Sequence, residues 1–383
     1  MRRLALVIAM LVAAPATLAA PALSPSSTTR ASVGSVPVLA YYYIWFDEAS
    51  WNRAKTDYPI LGRYSSDDKA VMEQHIRWAK SVGIEGFIVS WKSTPRLDAR
   101  LNALVEVAAS NDFKLAIIYQ ALDFSREPIS IDDITRDLAF FADRWGTNPV
   151  FGLFERPMVI LSGTWEFSPI ELQIAIGKSR DRLLVLASER SAEEYRRVDT
   201  LFDGDAYYWS SVNPDADVNH TARLIDLATA VHARDGLWIA PAAPGFDARL
   251  VGGRRVVDRK DGDTLRAEVG AALESSPDAL GVISWNEFSE NSHIEPSTTY
   301  AGTALETLAE LTGRPAPGVF DLGSDDVAPT SEWIGFDQIV AFGALLATML
   351  LATLVIARRN ARGRAGSAST PRDAAGSSTG NRS

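Results

Sequence analysis

The chain has 383 residues, 46% of them hydrophobic, no cysteine, and 38 Lys and Arg against 48 Asp and Glu, a formal net charge of −10. Without cysteine there is no disulfide, no thiolate metal site and no cysteine nucleophile. Both ends are arginine-rich, so the body is more acidic still; that argues against nucleic acid and suits a neutral partner such as a glycan.

In chain order, Met1-Arg2-Arg3, an apolar run to Ala20 and the small exit Ala20-Pro21-Ala22 read as a secretory signal peptide over residues 1–22, with an uncleaved N-terminal anchor as the alternative. Residues 23–35 are a Ser/Thr-rich, flexible lead-in. Eight apolar strands are then expected: 36–43, 86–91, 114–120, 157–162, 182–188, 205–209, 237–240 and 279–284. Between them run helical stripes, among them Met72, Ile76 and Ala79; Leu97, Leu101, Leu104, Val105 and Ala108; and Ile134, Leu138, Phe141, Ala142 and Trp145. Strands alternating with helices imply a parallel sheet, and eight strands close an α/β (β/α)8 TIM barrel over residues 36–312. The rival, an open doubly wound sheet, would usually bring a Gly-rich phosphate loop, and the chain has neither GxGxxG nor GxxxxGK.

Residues 313–337 read as a linker or stalk. Ile339 to Ala357 is uncharged and apolar and would span about 28 Å as a helix. With Arg358, Arg359, Arg362 and Arg364 directly behind it, 338–357 is expected to be a single transmembrane helix; the body is then outside the cell membrane and the basic, low-complexity tail 358–383 is cytoplasmic.

The chemistry concentrates in Ser284-Trp285-Asn286-Glu287-Phe288-Ser289-Glu290 and the His293-Ile294-Glu295-Pro296 that follows. If one helical turn forms there, Glu287 and Glu290 share a face with Cβ atoms roughly 5–6 Å apart. Two carboxylates so close do not both ionise freely, and one is left as an acid at neutral pH, as glycosidic cleavage needs. A pair on a solvated helix face is the plainer alternative. Aromatic and polar residues also gather at strand C-termini: Tyr42 and Tyr43, Trp91, Gln120, Tyr207 and Tyr208. In a barrel these meet at one mouth.

Of four histidines, none forms HExxH, and GxSxG is absent. That argues against a zinc hydrolase or serine esterase. Asn213, Asp215, Asp217 and Asn219 alternate as in a calcium loop but lack its glycine and closing glutamate, so a capping loop is expected. No metal and no cofactor is called for.

Three segments carry a family resemblance: Tyr64-Ser65-Ser66-Asp67-Asp68 through His75-Ile76-Arg77-Trp78-Ala79-Lys80 to Gly86-Phe87-Ile88-Val89-Ser90-Trp91; Pro244-Gly245-Phe246-Asp247-Ala248-Arg249; and Trp285 through Pro296. With them the chain resembles glycoside hydrolase family 99, the endo-acting α-mannosidases and α-mannanases. It departs at Ser289, Asn291 and His293, where the family has His, Gly and Gln. The resemblance implies retaining hydrolysis of α-mannosidic links through a 1,2-anhydro sugar. Glu287 would be the base on the sugar's own 2-hydroxyl and Glu290 the general acid and then base. Tyr43, Trp91, Tyr208, Asp247, Arg249, Trp285, Asn286 and His293 would bind substrate, while Glu295 would be structural. A different glycosidase such as an α-glucanase, or a non-catalytic glycan-binding protein, are the rival expectations.

Overall fold

The computed structural model describes residues 33–53, 55–123 and 126–318, all within one structural unit. Eight parallel strands form its centre: β1 (Val38–Tyr43), β2 (Ile84–Trp91), β3 (Lys114–Gln120), β4 (Met158–Ser162), β5 (Leu184–Leu186), β6 (Gly204–Ala206), β7 (Leu237–Ala242) and, later in the chain, β10 (Ala279–Val282). Their order is β5-β4-β3-β2-β1-β10-β7-β6. A parallel bridge between Ala187 and Asp205 joins the two edges, with Ala187 N–H on the Gly204 carbonyl and Ala206 N–H on the Ala187 carbonyl, both at 2.9 Å. The sheet is thereby closed, and no edge is left to pair with another chain. An antiparallel hairpin of β8 (Phe246–Asp247) and β9 (Val256–Val257) interrupts the alternation after β7.

The helices are α1 (Lys69–Ser81), α2 (Pro95–Ser110), α3 (Ile131–Trp145), α4 (Pro169–Gly177), α5 (Ala192–Arg196), α6 (His220–His232), α7 (Asp263–Glu274) and α8 (Thr303–Thr312). Local sequence sets their starts. Asp68, Thr94, Ser130, Ser168 and Ser191 each accept an N-terminal backbone N–H of the helix that follows.

The pleat divides each strand's side chains between two cores. Leu39, Tyr41, Ile88, Ile118, Ile160, Leu186 and Ile239 fill the barrel. Ala40, Tyr42, Phe87, Val89, Trp91, Ile117 and Val185 pack outward with Met72, Leu101 and Leu138 of the helices. Apolar residues therefore occupy both faces of these strands, which is why they read as unbroken apolar runs.

The expected transmembrane helix is corrected. Among the described residues no helix is long and apolar enough to cross a membrane. The longest, α2, has 16 residues, about 24 Å of rise, and its buried stripe faces the barrel. The 338–357 stretch lies outside the described residues, as do the signal peptide and the tail. The described residues form a TIM-like barrel with no spanning helix among them, and the expected membrane partner and single-pass location in the cell membrane are corrected with the helix.

Candidate active site

The site is built on the loop that leaves β10. Trp285 N–H bonds the Tyr41 carbonyl of β1 at 2.7 Å, and Ile283 N–H the Ala242 carbonyl of β7 at 2.8 Å, so the chain stays wedged between its neighbours past the strand's end. It then folds back on itself. Ser284 N–H donates to the Ser292 carbonyl, Ile294 N–H to the Ser284 carbonyl and Glu295 N–H to the Trp285 carbonyl, at 2.8–2.9 Å. The segment between forms tight turns, not a helix, with Phe288 N–H on the Asn286 carbonyl at 3.0 Å.

Asn286 clamps this loop to β1. Its Oδ1 accepts Tyr43 N–H at 2.8 Å, and its Nδ2 donates to the Tyr43 carbonyl at 3.0 Å. Both backbone groups at the end of β1 are thus satisfied by one side chain, which fixes where the Tyr43 ring stands. Behind the clamp, Glu295 accepts from Tyr64 Oη at 2.8 Å and pairs with His75 Nε2 at 3.0 Å, and His75 Nδ1 meets Tyr42 Oη at 3.0 Å.

Glu287 is 7% exposed, its backbone N–H held by Ser284 Oγ and its Oε1 accepting Ser289 N–H at 2.9 Å. Burial, helped by the charge of Glu290, pushes its carboxyl up to about 7; Lys55 and the Ser289 hydrogen bonds work against that rise. Burial also raises Glu290, against the pull of Arg126. The phenols of Tyr43 and Tyr208 are hydrogen-bonded to each other, and both carboxylates help to raise both of them. Glu287, Glu290, Tyr43 and Tyr208 thus share one electrostatic neighbourhood at the C-terminal rim, where barrels of this kind keep their chemistry.

The other residues singled out in the sequence fall elsewhere. Trp91 is 1% exposed on the outer face of β2, its indole N–H on Asp98 Oδ1 at 3.0 Å and its ring against Phe141 and Trp145. Trp285 is fully buried against Phe87 and His75. His293 is buried, stacked on Phe288 at 4.0 Å and bonded to Asp57 at 3.0 Å; burial and the neighbouring Arg259 hold it down at about 4, so it is neutral. Asp247 and Arg249 grip each other through two hydrogen bonds of 2.9 and 2.7 Å. Of this pair the Asp247 backbone reaches the loop after β10, its N–H on the Glu290 carbonyl at 2.7 Å.

Two residues enter the site that sequence reasoning did not select. Lys55 donates to Ser289 Oγ at 3.1 Å and stands over the Trp51 ring at 5.7 Å. Arg259, 8% exposed, lies 4.1 Å over the Tyr300 ring and donates to the carbonyls of His293 and Asn291 at 2.8 and 3.0 Å. Lys55 is 234 positions from its partner and belongs to no motif; only Ser289, small where a histidine is usual, hinted at space there. Segment 213–219 forms a capped turn, as the sequence led one to expect, with Asn213 Oδ1 accepting Asp215 N–H at 3.0 Å.

A sequence model of glycosyl hydrolase family 99 matches residues 46–310. Glycoprotein endo-alpha-1,2-mannosidase of Rattus norvegicus is 22% identical over 259 residues, which is 62% of this chain and 56% of the rat protein. The endo-alpha-1,2-mannosidase-like protein of Danio rerio is 23% identical over 287 residues, 66% of this chain and 62% of that one. The chain therefore spans under two thirds of the curated relatives it matches. Among solved structures, a GH99 endo-alpha-mannosidase from Bacteroides thetaiotaomicron superposes with a TM-score of 0.63 at 20% identity, over 72% of this chain and 95% of that one.

Proposed function

Because the chain belongs to glycosyl hydrolase family 99, we propose that it hydrolyses α-mannosidic links within a glycan, with Glu287 and Glu290 as the reacting pair. The observation that carries this reading is one loop at the barrel rim that holds Glu287 buried and Glu290 half-buried, both felt by the hydrogen-bonded Tyr43 and Tyr208 hydroxyls.

Two carboxylates so coupled titrate as a unit that holds one proton near neutral pH. In the free protein Glu287, the more deeply buried, takes that proton readily. A bound sugar reverses the preference: its 2-hydroxyl donates to Glu287, and a hydrogen bond to the charged form favours ionisation. The proton then resides on Glu290, which delivers it to the departing oxygen. Glu287 draws the 2-hydroxyl proton, and that oxygen closes on the anomeric carbon as the link breaks. Glu290, now ionised, takes a proton from the water that attacks the anomeric carbon, the anhydro ring opens as Glu287 returns its proton to the 2-oxygen, and the two inversions give net retention. Tyr43 and Tyr208 supply hydroxyls at the pair, and Asn286 acts through Tyr43.

The test is incubation with α-mannan and α-glucan panels. The reading expects oligosaccharides released from α-mannan by the wild type and not by Glu287→Gln or Glu290→Gln. Release from α-glucan alone, or binding without release, would contradict it.

A further inference from the structure

A cavity of about 730 Å³ is lined in part by Arg190, Tyr207, Trp209, Arg223, Arg255 and Val256. It shares two walls with the catalytic site. The β8–β9 hairpin is one: Asp247 of β8 holds the Glu290 carbonyl, while Val256 and Val257 of β9 line the cavity. The exit of β6 is the other: Tyr208 reaches Tyr43 in the cleft, and its neighbours Tyr207 and Trp209 line the cavity. A glycan that runs from the glutamate pair past β6 or past the hairpin would meet this cavity.

The charge here runs against that of the chain. On a protein of net −10, the charged residues lining the cavity are three arginines and one acid, Asp217. Asp217 grips Arg223 with both oxygens and so neutralises that one alone. Arg190 stands near both Trp165 and Trp209, 4.9 and 5.3 Å from their ring centroids, and pairs at 3.5 Å with Glu194, whose other oxygen accepts the Arg190 backbone N–H at 3.1 Å. Arg255, on the exposed hairpin, bonds Ser211 Oγ at 3.3 Å and makes no ion pair among the described residues. The Arg190 guanidinium lies beside two indole rings that meet edge to face, 5.4 Å apart, and the planar donors of a guanidinium match carboxylate and phosphate oxygens. The same aromatic walls give a sugar ring a face to pack on.

We propose that this cavity is a subsite for an anionic substituent of the glycan, a carboxylate or a phosphate ester, held by Arg190 and Arg255. The identity of the chain that bears the charge rests on the α-mannosidase reading, but occupancy of the subsite is measured by binding alone. Calorimetric titration of the full chain with mannose, mannose 6-phosphate and mannuronic acid is the test. One of the charged sugars should bind roughly tenfold tighter than mannose. The preference should weaken with added salt and be lost in Arg255→Gln and in Arg190→Gln. Arg255 is exposed, so its substitution leaves the fold intact. Preference for the phosphate assigns an ester, and preference for the carboxylate assigns a uronate. Equal binding of all three sugars, or an anion preference that survives both substitutions, overturns the proposal. Anion preference in a chain that releases nothing from α-mannan supports the subsite and counts against the hydrolase reading instead.

Discussion

At the residue scale, Glu287 sits where desolvation and a neighbouring carboxylate both oppose its charge, so its protonation carries consequences for stability and for rate. Its pKa in the folded state is raised from the usual 4.5 to about 7, so the folded chain binds the extra proton between those values. Stability from this residue is complete below pH 4.5 and is lost as pH rises through 7. Glu287→Gln should therefore melt higher than the wild type at pH 8, by about 2–3 kcal/mol of stability, and match it at pH 4. Thermal unfolding at the two pH values checks this; a variant less stable at pH 8 would mean that the carboxylate is satisfied in place. Catalysis follows the same limb, because the reacting pair needs its one proton: kcat/KM should fall as that proton is lost near pH 7. Lys55 helps to hold that limb down, so Lys55→Met should move it upward. A limb that stays in place would show that Lys55 serves only to tie Ser289. Glu290→Gln should cost roughly 10²–10⁴-fold in kcat, read from initial rates.

At the element scale, the strand ends decide what reaches the mouth. The eight strands were legible because each is an apolar run of the right length between capped helices. Their pleat was not. Trp91 stands at the end of an apolar strand like the tyrosines, yet it shares the outward face of Phe87 and Val89, and a run buried on both sides gives no alternation from which to tell the faces apart. The β8–β9 hairpin was missed for a related reason: two paired residues per strand leave no period to detect. Closure of the barrel depends on Gly204, because a Cβ there would stand 2.0 Å from the Leu237 carbonyl oxygen of the adjoining strand. Gly204→Ala should force β6 and β7 apart and cost several kcal/mol, on the scale of the largest single-residue effects. Retained melting temperature would show that the seam between β6 and β7 tolerates separation. Asn286→Ala should leave the Tyr43 N–H and carbonyl unpaired, costing about 1–3 kcal/mol and lowering kcat through the displaced ring.

At the scale of the whole molecule, a closed barrel sets one reactive loop at its rim and a local excess of arginine beside it. The carboxylate pair was readable because two glutamates broke an apolar strand, and Tyr43 and Tyr208 because they stand at strand ends; the charges that tune the pair were not, since Lys55 and Arg126 come from separate loops far from it in sequence. The apolar run near the C-terminus carried the expectation of an anchor, and none of the described helices is long enough to be one. The central claim is that Glu287 and Glu290 act together on an α-mannosidic link with retention. ¹H NMR of the sugars released from an α-1,2-linked mannan tests it most directly. The account predicts oligosaccharides that appear first as the α-anomer and vanish in either glutamine variant; β-anomer first, or release undiminished in Glu287→Gln, would contradict it.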